Sequence, residues 1–203
     1  MTSLQREYMK VVLLGDRMTG KTSLMKRYFL NQYNIGEQAT IGAAFESKIF
    51  DIDGKEYQMG VWDTSGEERY QSVCKLYYRN ATAAIVCYDV TLENTFRKLN
   101  YWINEVRQVE ENCRIFMCAT KSDLLQQFEA NPKLSLAQDY ARINGLKFFL
   151  TSSKTGENVE TLFNEVLDDC ISEYRDTPRR NTIRLPSNTR RWRQRTKNCC
   201  SKR

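Results

Sequence analysis

The octapeptide GDRMTGKT at residues 15–22 constrains this chain more than any other stretch, because it matches the pattern G-x-x-x-x-G-K-[ST] in full. It follows a continuous apolar run and precedes a segment with helical spacing. Gly15 and Gly20 let backbone N–H groups surround a phosphate, and Lys21 can reach the outer phosphate oxygens. The hydroxyl of Thr22 is suited to ligate Mg²⁺. An ordinary glycine-containing turn is the alternative, but the strand-then-helix context favours a phosphate-binding loop.

Strand and helix patterns alternate along the chain. Strand patterns occur at residues 8–14, 44–52, 55–62, 81–88, 115–119 and 147–150. Helical patterns occur at residues 22–30, 93–110, 135–144 and 159–174. The dipeptide Asp53-Gly54 is a hairpin signal that makes the second and third strands antiparallel. The remaining alternation predicts an α/β fold with a six-stranded, mostly parallel sheet, helices on both faces and ligands at the carboxyl ends of the strands.

The charge of the chain is unevenly distributed. The 203 residues carry a net charge of +6, but residues 175–203 contain eleven Lys and Arg against one acid, so residues 1–174 carry −4. We therefore predict one folded domain at 1–174 and a basic, disordered tail at 175–203. This distribution argues against a nucleic-acid-binding domain and for a flexible end that approaches an anionic membrane. No apolar run is long enough to span a bilayer, which predicts a cytosolic protein unless something anchors it.

Further polar segments follow predicted strands. Asp63 is placed to hold Mg²⁺ through water, although a turn or helix-capping role is the alternative. Gly66 can turn its N–H toward a γ-phosphate without steric penalty. Asp123, within TKSD at residues 120–123, can accept both the N1–H and the exocyclic amine of guanine, a donor pair that adenine lacks. With SSK at residues 152–154 it forms a predicted two-loop base pocket.

With these motifs the chain resembles the Ras superfamily of small GTPases, and within it the Rab family. The resemblance covers residues 8–174 and the last five residues, through GDRMTGKT, TIGAAF, WDTSGEERY, YYRNA, CYDVT, TKSD and TSSKTG. The stretches IGAAF, AAIVCYD and TKSDLL are most similar to the atypical, autophagy-linked Rab branch. The resemblance implies a P-loop NTPase G domain that hydrolyses GTP to GDP and phosphate with Mg²⁺.

The resemblance also implies residue roles. GTP contacts are expected at Arg17, Met18, Thr19, Gly20, Lys21, Thr22, Ser23, Tyr33, Thr40, Gly66, Thr120, Lys121, Asp123, Ser152, Ser153 and Lys154. Metal ligation is expected at Thr22, Thr40 and Asp63, and catalytic roles at Glu67, Lys21 and Gly66. Tyr33 is expected over the guanine ring, Lys121 beside the base, and the Ser153 backbone against guanine O6. Effector contacts are expected at Ile41, Gly42, Phe45, Trp62 and Tyr77, for whose aromatic members a simple core stripe is the alternative.

Loss of the γ-phosphate is expected to release Thr40 and Gly66, and so to melt both switch segments. Partners would read that change.

The first departure from the Rab pattern is Glu67, which stands where the family usually has glutamine. An ionised carboxylate cannot donate to the attacking water and adds negative charge near the transition state. Loss of one such donor costs about a hundred- to a thousandfold in rate. We therefore predict slow intrinsic hydrolysis, with the alternative that Glu67 turns to solvent and another group positions the water.

Two further departures lie near the expected nucleotide. Arg17-Met18 replaces the small residues that Rabs commonly carry, and Arg17 can crowd out the catalytic arginine of an activating protein, supply positive charge in cis, or simply face solvent. Thr120 replaces the asparagine of N-K-x-D. Since a hydroxyl is too short both to contact the base and to bond the phosphate loop, we expect guanine selection by Asp123 to survive while affinity falls.

The tail contains Cys199 and Cys200 in the sequence NCCSKR, beside a cluster of arginines. The pair resembles the Rab prenylation end, with both cysteines as geranylgeranyl acceptors, although Ser201-Lys202-Arg203 is a less usual ending. Two lipid chains, or one chain plus a basic patch, give stable attachment to a membrane.

The sequence as a whole predicts a Rab-like GTP/GDP switch with slow hydrolysis, in vesicle trafficking or autophagy, on the cytoplasmic face of intracellular membranes. The implied partners are an exchange factor, a GTPase-activating protein, the Rab escort protein with its prenyltransferase, a GDP-dissociation inhibitor and effectors. The alternative is a non-hydrolysing, GTP-loaded membrane adaptor.

Overall fold

The fold is a six-stranded sheet flanked by helices, and the computed structural model describes residues 6–66, 77–125 and 132–176 of it. The strands are β1 (Glu7–Leu14), β2 (Ala43–Ile52), β3 (Lys55–Thr64), β4 (Ala83–Asp89), β5 (Arg114–Thr120) and β6 (Lys147–Leu150). The helices are α1 (Lys21–Leu30), α2 (Glu93–Arg97), α3 (Leu99–Val109), α4 (Pro132–Ile143) and α5 (Val159–Asp176), with a 3₁₀ turn at Ser122–Leu124.

The six strands form one sheet in the order β2-β3-β1-β4-β5-β6, which confirms the predicted six-stranded, mostly parallel sheet. Only the β2–β3 pair is antiparallel in this sheet; the other four pairings are parallel. Asp53 and Gly54 join the antiparallel pair with φ of 55° and 74°. Positive φ at both central residues is the requirement of the tightest hairpin turn, so the sequence signal identified this connection correctly.

Alternate residues of β1 pack into two separate apolar layers. Val11 and Leu13 belong to the layer that includes Phe163 of α5, whereas Val12 and Leu14 belong to the layer that includes Trp102 of α3. Because successive strand residues point to opposite faces, a strand covered by helices on both sides must be apolar throughout. This burial explains the uninterrupted apolar runs in the sequence, and it confirms the predicted helices on both faces.

The end of β3 that the sequence predicted, at Trp62, was wrong. The strand continues through Asp63, which lies opposite Leu13 of β1, to Thr64. The Thr64 hydroxyl donates to the Leu13 carbonyl at 2.8 Å. Pairing with strands on both sides therefore holds these polar residues in the sheet and fixes Asp63 at the edge where the phosphate loop begins.

The prediction of one helix over residues 93–110 was also wrong. The structure has α2 and α3 separated at Lys98, whose ammonium pairs with Asp16 Oδ2 at 3.0 Å. Apolar periodicity continues across the interruption, so it gave no signal of the break. The junction contributes a charge to the phosphate loop that helical spacing alone does not indicate.

Among the described residues, none of the helices combines the length and apolarity needed to cross a membrane. The predicted tail at 175–203 lies outside the described residues apart from the end of α5 at Asp176. The domain boundary at residue 174 therefore stays a prediction.

Candidate functional site

The phosphate loop connects β1 to α1 and is packed tightly against the sheet. A Cβ placed on Gly15 would lie 2.2 Å from the carbonyl oxygen of Cys87, and its φ of +135° is also one that L side chains rarely adopt. Lys21, only 5% exposed, donates through Nζ to the carbonyls of Gly15 at 2.9 Å and Asp16 at 2.8 Å. The ammonium is thus held across the mouth of the loop, as a phosphate-binding lysine requires.

The three side chains expected around Mg²⁺ converge beside this loop. Thr22 Oγ1 donates to Asp63 Oδ2 at 2.6 Å and lies 2.9 Å from Thr40 Oγ1. Thr40 Oγ1 lies 3.4 Å from the same carboxylate oxygen. Hydroxyl and carboxylate oxygens are ligands that Mg²⁺ accepts. The donor set therefore fits a small divalent cation, and it joins the phosphate loop, the segment before β2 and the end of β3.

Asp63 is fully buried, and its second carboxylate oxygen, Oδ1, has no hydrogen-bond partner. Burial raises the pKa of Asp63, although the hydrogen bond from Thr22 and the charge of Lys21 oppose the shift. An unpartnered buried carboxylate oxygen is costly unless a cation or a proton compensates it. The contacts from Thr22 and Lys21 therefore compensate the buried charge of Asp63 only in part, and a bound cation would complete the compensation.

The two predicted base loops meet through direct contacts. Ser152 Oγ donates to Asp123 Oδ1 at 2.5 Å, and Lys154 Nζ lies 3.9 Å from Asp123 Oδ2. Thr120 is buried, and its hydroxyl contacts the carbonyls of Thr19 at 2.7 Å and Tyr88 at 2.9 Å. Thr120 thus bonds the phosphate loop in the way expected of the family's asparagine, but its hydroxyl proton is engaged there.

Lys121 extends from a strained backbone position, with φ of 65°. Its Nζ lies 2.6 Å from Asp89 Oδ2, and the Asp89 side chain is 1% exposed. Such left-handed conformations at non-glycine residues are uncommon and persist where neighbouring structure enforces them. The ion pair holds the aliphatic stem of Lys121 beside the cavity described next.

Two adjoining cavities lie between these segments. The larger, of about 470 Å³, is lined by Arg17, Met18, Gly20, Lys21, Thr22, Ser23, Tyr33, Asn34, Gly36, Glu37, Gln38, Ala39, Thr40, Thr64, Ser65, Gly66 and Lys121. The smaller, of about 120 Å³, is lined by Gly20, Ser23, Tyr33, Thr120, Lys121, Asp123, Leu124, Ser153 and Lys154. Most of the residues that the sequence assigned to nucleotide binding therefore line one of two cavities that share Gly20, Ser23, Tyr33 and Lys121.

Two of the expected contacts, Thr19 and Ser152, line neither cavity. Both are fully buried, and the Thr19 hydroxyl donates to the Asp16 carbonyl at 2.8 Å. Their side chains hold the loops rather than face the cavity.

Gly66 packs directly on the phosphate loop. A Cβ at this position would lie 2.4 Å from the backbone nitrogen of Arg17 and 2.5 Å from the carbonyl carbon of Asp16. No side chain can therefore stand at residue 66 in this conformation. Arg17 itself is exposed and lines the larger cavity. This position is compatible both with crowding out an activating protein's arginine and with supplying charge in cis.

Three of the expected effector residues, Phe45, Trp62 and Tyr77, form one aromatic group, and Ile41 follows Thr40 directly in the chain. Ile41 is 93% exposed, and the ring of Phe45 lies 4.9 Å from that of Trp62. Trp62 in turn lies 6.1 Å from Tyr77, measured between ring centroids. Phe45 is 45% exposed, so this aromatic group is not a simple core stripe.

Sequence reasoning missed several residues that hold the site together. Lys26 pairs with Glu37 at 2.6 Å and so attaches the segment before β2 to α1. Arg27 donates to the backbone of residues 153 and 154. Ser122 Oγ donates to Glu157 Oε2 at 2.9 Å, linking the two base loops. Each contact joins residues that are 11 to 127 positions apart, and no local pattern in the sequence indicates such a pairing.

The predictions for Glu67, Cys199 and Cys200 fall outside the described residues. They stay predictions.

Comparison with known proteins agrees with this geometry. The chain matches the Ras family over residues 10–172. It is 43% identical over 163 residues to the Ras-related protein Rab-24 of Dictyostelium discoideum, and the aligned region covers 79% of this chain and 80% of that relative. It is 41% identical over 173 residues to the GTP-binding protein ypt5 of Schizosaccharomyces pombe, with 82% of each chain covered. The chain therefore belongs to the Ras family and, within it, to the Rab small GTPases, which hydrolyse GTP to GDP with the help of Mg²⁺.

Proposed function

We propose that this protein is a slowly hydrolysing GTP/GDP switch whose nucleotide occupies the two adjoining cavities. As a Rab GTPase it acts as a switch in vesicle trafficking. Its family implies exchange factors, activating proteins, GDP-dissociation inhibitors and effectors as partners, and association with cytoplasmic membrane faces. The observation that carries the proposal is the convergence of Thr22, Thr40 and Asp63 next to the buried ammonium of Lys21.

The phosphates are bound, on this proposal, by the loop between β1 and α1. Lys21 exchanges its two carbonyl partners for phosphate oxygens, which are stronger acceptors because they are charged. Thr22 and Thr40, together with Asp63 through water, would hold Mg²⁺, which would supply positive charge next to the phosphates. A bound cation would also compensate the orphaned carboxylate oxygen of Asp63.

The base occupies the smaller cavity. Asp123 accepts from the donor pair on guanine, and the hydrogen bond from Ser152 fixes the carboxylate for that contact. Lys121 and Tyr33 line the same cavity and pack beside the base. Because adenine would leave the Asp123 carboxylate without donors in a confined site, the pocket rejects it.

Switching depends on two segments that contact the γ-phosphate end of the site. Thr40 already lies within hydrogen-bond reach of Thr22, and Gly66 packs on the phosphate loop. A γ-phosphate stabilises both positions, and its loss withdraws that stabilisation. The exposed Ile41 and the aromatic group Phe45, Trp62 and Tyr77 adjoin these segments, so effectors that bind this surface would sense the nucleotide.

Slow hydrolysis follows from Glu67, whose carboxylate cannot donate a hydrogen bond to the attacking water. Arg17 lines the larger cavity, and if it occupies the space of an activating protein's arginine it limits stimulated rather than intrinsic hydrolysis. The variant Arg17→Ser separates its two possible roles, since a gain in sensitivity to an activating protein indicates crowding and a loss of basal rate indicates a role in cis.

Membrane attachment, on this proposal, is through geranylgeranyl groups on Cys199 and Cys200, attached by a prenyltransferase with its escort protein. The neighbouring arginines add electrostatic attraction of about 1 kcal/mol each near an anionic leaflet. The similarity of IGAAF, AAIVCYD and TKSDLL to the autophagy-linked branch supports a role in that process. Replacing both cysteines by serine is expected to move the protein from membranes to the soluble fraction, and persistent membrane residence would contradict the lipid anchor.

The decisive test of the nucleotide site is a change of base preference. Purified wild-type protein should retain guanine nucleotide, whereas Asp123→Asn should lose affinity for GDP and gain affinity for XDP, because the amide can donate to the carbonyl that replaces the exocyclic amine. The matched control is Asp139→Asn, which changes an exposed aspartate that pairs with Arg142 on α4. If Asp123→Asn binds GDP as tightly as wild type does and binds XDP no more tightly, the proposed base pocket is contradicted. GTP retained without turnover would favour the adaptor alternative.

A further inference from the structure

Arg27 lies on α1, the helix that begins with Lys21 and Thr22, and its guanidinium contacts the second base loop. Nε donates to the carbonyl of Ser153 at 2.5 Å, and Nη2 donates to the carbonyl of Lys154 at 2.7 Å. The remaining nitrogen, Nη1, donates to Asn31 Oδ1 at 3.0 Å. All three nitrogens are therefore engaged, so the orientation of the planar guanidinium is fixed.

These contacts differ from those of a surface arginine. Arg97 and Arg142 pair with carboxylates on their own helices, with side chains 77% and 78% exposed. Within the described part of the chain, Arg27 has no carboxylate partner and instead holds two successive backbone carbonyls across 126 and 127 positions of sequence. Charge-assisted hydrogen bonds of this kind are stronger than neutral ones and restrict the peptide planes they join.

The loop that Arg27 holds presents a donor to the smaller cavity. Ser153 lines that cavity, and among the described residues its backbone N–H has no backbone acceptor. The loop is also held from the other side, since Glu157 accepts from Ser122 and Ser152 bonds Asp123. Arg27 bonds the carbonyl of the same residue, Ser153, and of the next residue, Lys154, and so connects the loop to the helix that carries the phosphate-binding lysine.

The Thr120 hydroxyl bonds the carbonyls of Thr19 and Tyr88, so it does not also contact the base. A larger share of base recognition therefore falls on the Ser153 N–H and Asp123. We propose that Arg27 is a positioning residue for guanine recognition, which fixes the 152–154 loop so that the Ser153 N–H meets guanine O6. This inference rests on the proposed guanine site.

The test couples a change in the protein to a change at one atom of the ligand. Affinities of the full chain for GDP and for 6-thio-GDP, in which sulfur, a weak acceptor, replaces O6 while the N1–H and the exocyclic amine are kept, are measured for wild type, Arg27→Ala and Arg27→Lys. Because the variants lose alignment with O6, the preference for GDP over the analogue should fall about three- to tenfold in Arg27→Ala, in line with one hydrogen bond. Arg27→Lys keeps the charge but not the two-pronged geometry, so its preference should be intermediate. The control Arg142→Ala should match wild type.

If Arg27 had a purely structural role, Arg27→Ala would lower the affinity for both ligands equally and leave the preference for GDP unchanged. That result would overturn the inference. An unchanged affinity for GDP in Arg27→Ala would overturn it as well. If Arg27→Ala does not fold, the preference measured for Arg27→Lys decides in the same way. Wild-type protein that binds neither ligand would instead overturn the proposed guanine site itself, so the two failures are distinguishable.

Discussion

Replacing Thr120 tests how this chain manages without the family's asparagine. The Thr120 hydroxyl is buried and lies 2.7 Å from the Thr19 carbonyl and 2.9 Å from the Tyr88 carbonyl. Thr120→Val keeps the shape of the side chain but leaves both carbonyls without this donor. An unsatisfied buried polar group costs about 1–3 kcal/mol. For a domain of this size, a loss of 1 kcal/mol lowers Tm by about 2–4 °C, so we expect Thr120→Val to melt about 2–12 °C below wild type.

Thr120→Asn is expected to raise the affinity of the protein for GDP. The longer amide carries two N–H donors and a carbonyl, so one donor can hold the phosphate loop while another polar atom faces the base. One additional hydrogen bond contributes about 0.5–1.5 kcal/mol net. At 1.4 kcal/mol per factor of ten, GDP should bind about 2- to 10-fold more tightly.

Displacement of a fluorescent GDP analogue at fixed Mg²⁺ gives the dissociation constant for each protein, and thermal melting shows that each is folded. The control is Thr161→Asn, which lies exposed on α5 and outside both cavities. The reasoning is refuted if folded Thr120→Asn binds GDP no more tightly than wild type. It is also refuted if Thr120→Val keeps wild-type stability, since the hydroxyl would then not hold the loop.

Three further predictions follow from contacts around the site. Gly15→Ala should prevent stable folding, because its Cβ would lie 2.2 Å from the Cys87 carbonyl oxygen; a wild-type melting curve would contradict this. Since burial raises the pKa of Asp63, its ionised carboxylate opposes folding, and the stability of the protein without Mg²⁺ should decline as pH rises above 3.8 through the raised pKa. Asp63→Asn should flatten that decline in melting experiments with chelator, and an unchanged pH profile would count against it. A hydrogen bond from Lys26 lowers the pKa of Glu37, so Lys26→Ala should loosen the segment before β2 and speed GDP release by at most about fivefold, as for a partly exposed ion pair.

Much of the fold could be predicted because the decisive signals are local. Burial of a strand on both faces forces an apolar run, as in β1 and β4, and the Asp53-Gly54 turn requires residues that tolerate positive φ. The phosphate loop is equally local, since its geometry depends on glycines within eight residues. These features depend on short stretches of chain, so reading a short window was sufficient.

The remainder of the site depends on packing between distant segments. Periodicity gave no sign that α2 and α3 separate at Lys98, or that β3 continues to Thr64, because both depend on partners elsewhere in the chain. The Arg27 contacts use backbone carbonyls, which every residue carries, so no residue type marks the acceptor in the sequence. Such contacts become visible only once the helix and the base loop are placed in space.

The measurement that tests the account most directly is the single-turnover rate of GTP hydrolysis. The protein with Cys199 and Cys200 replaced by serine is loaded with GTP and Mg²⁺, and phosphate release is followed for this form and for the same form with Glu67→Gln. The account predicts a slow, Mg²⁺-dependent conversion of GTP to GDP that becomes faster in Glu67→Gln, because glutamine restores a donor to the attacking water. Protein that fails to bind GTP, or equal rates with and without the substitution, would contradict it.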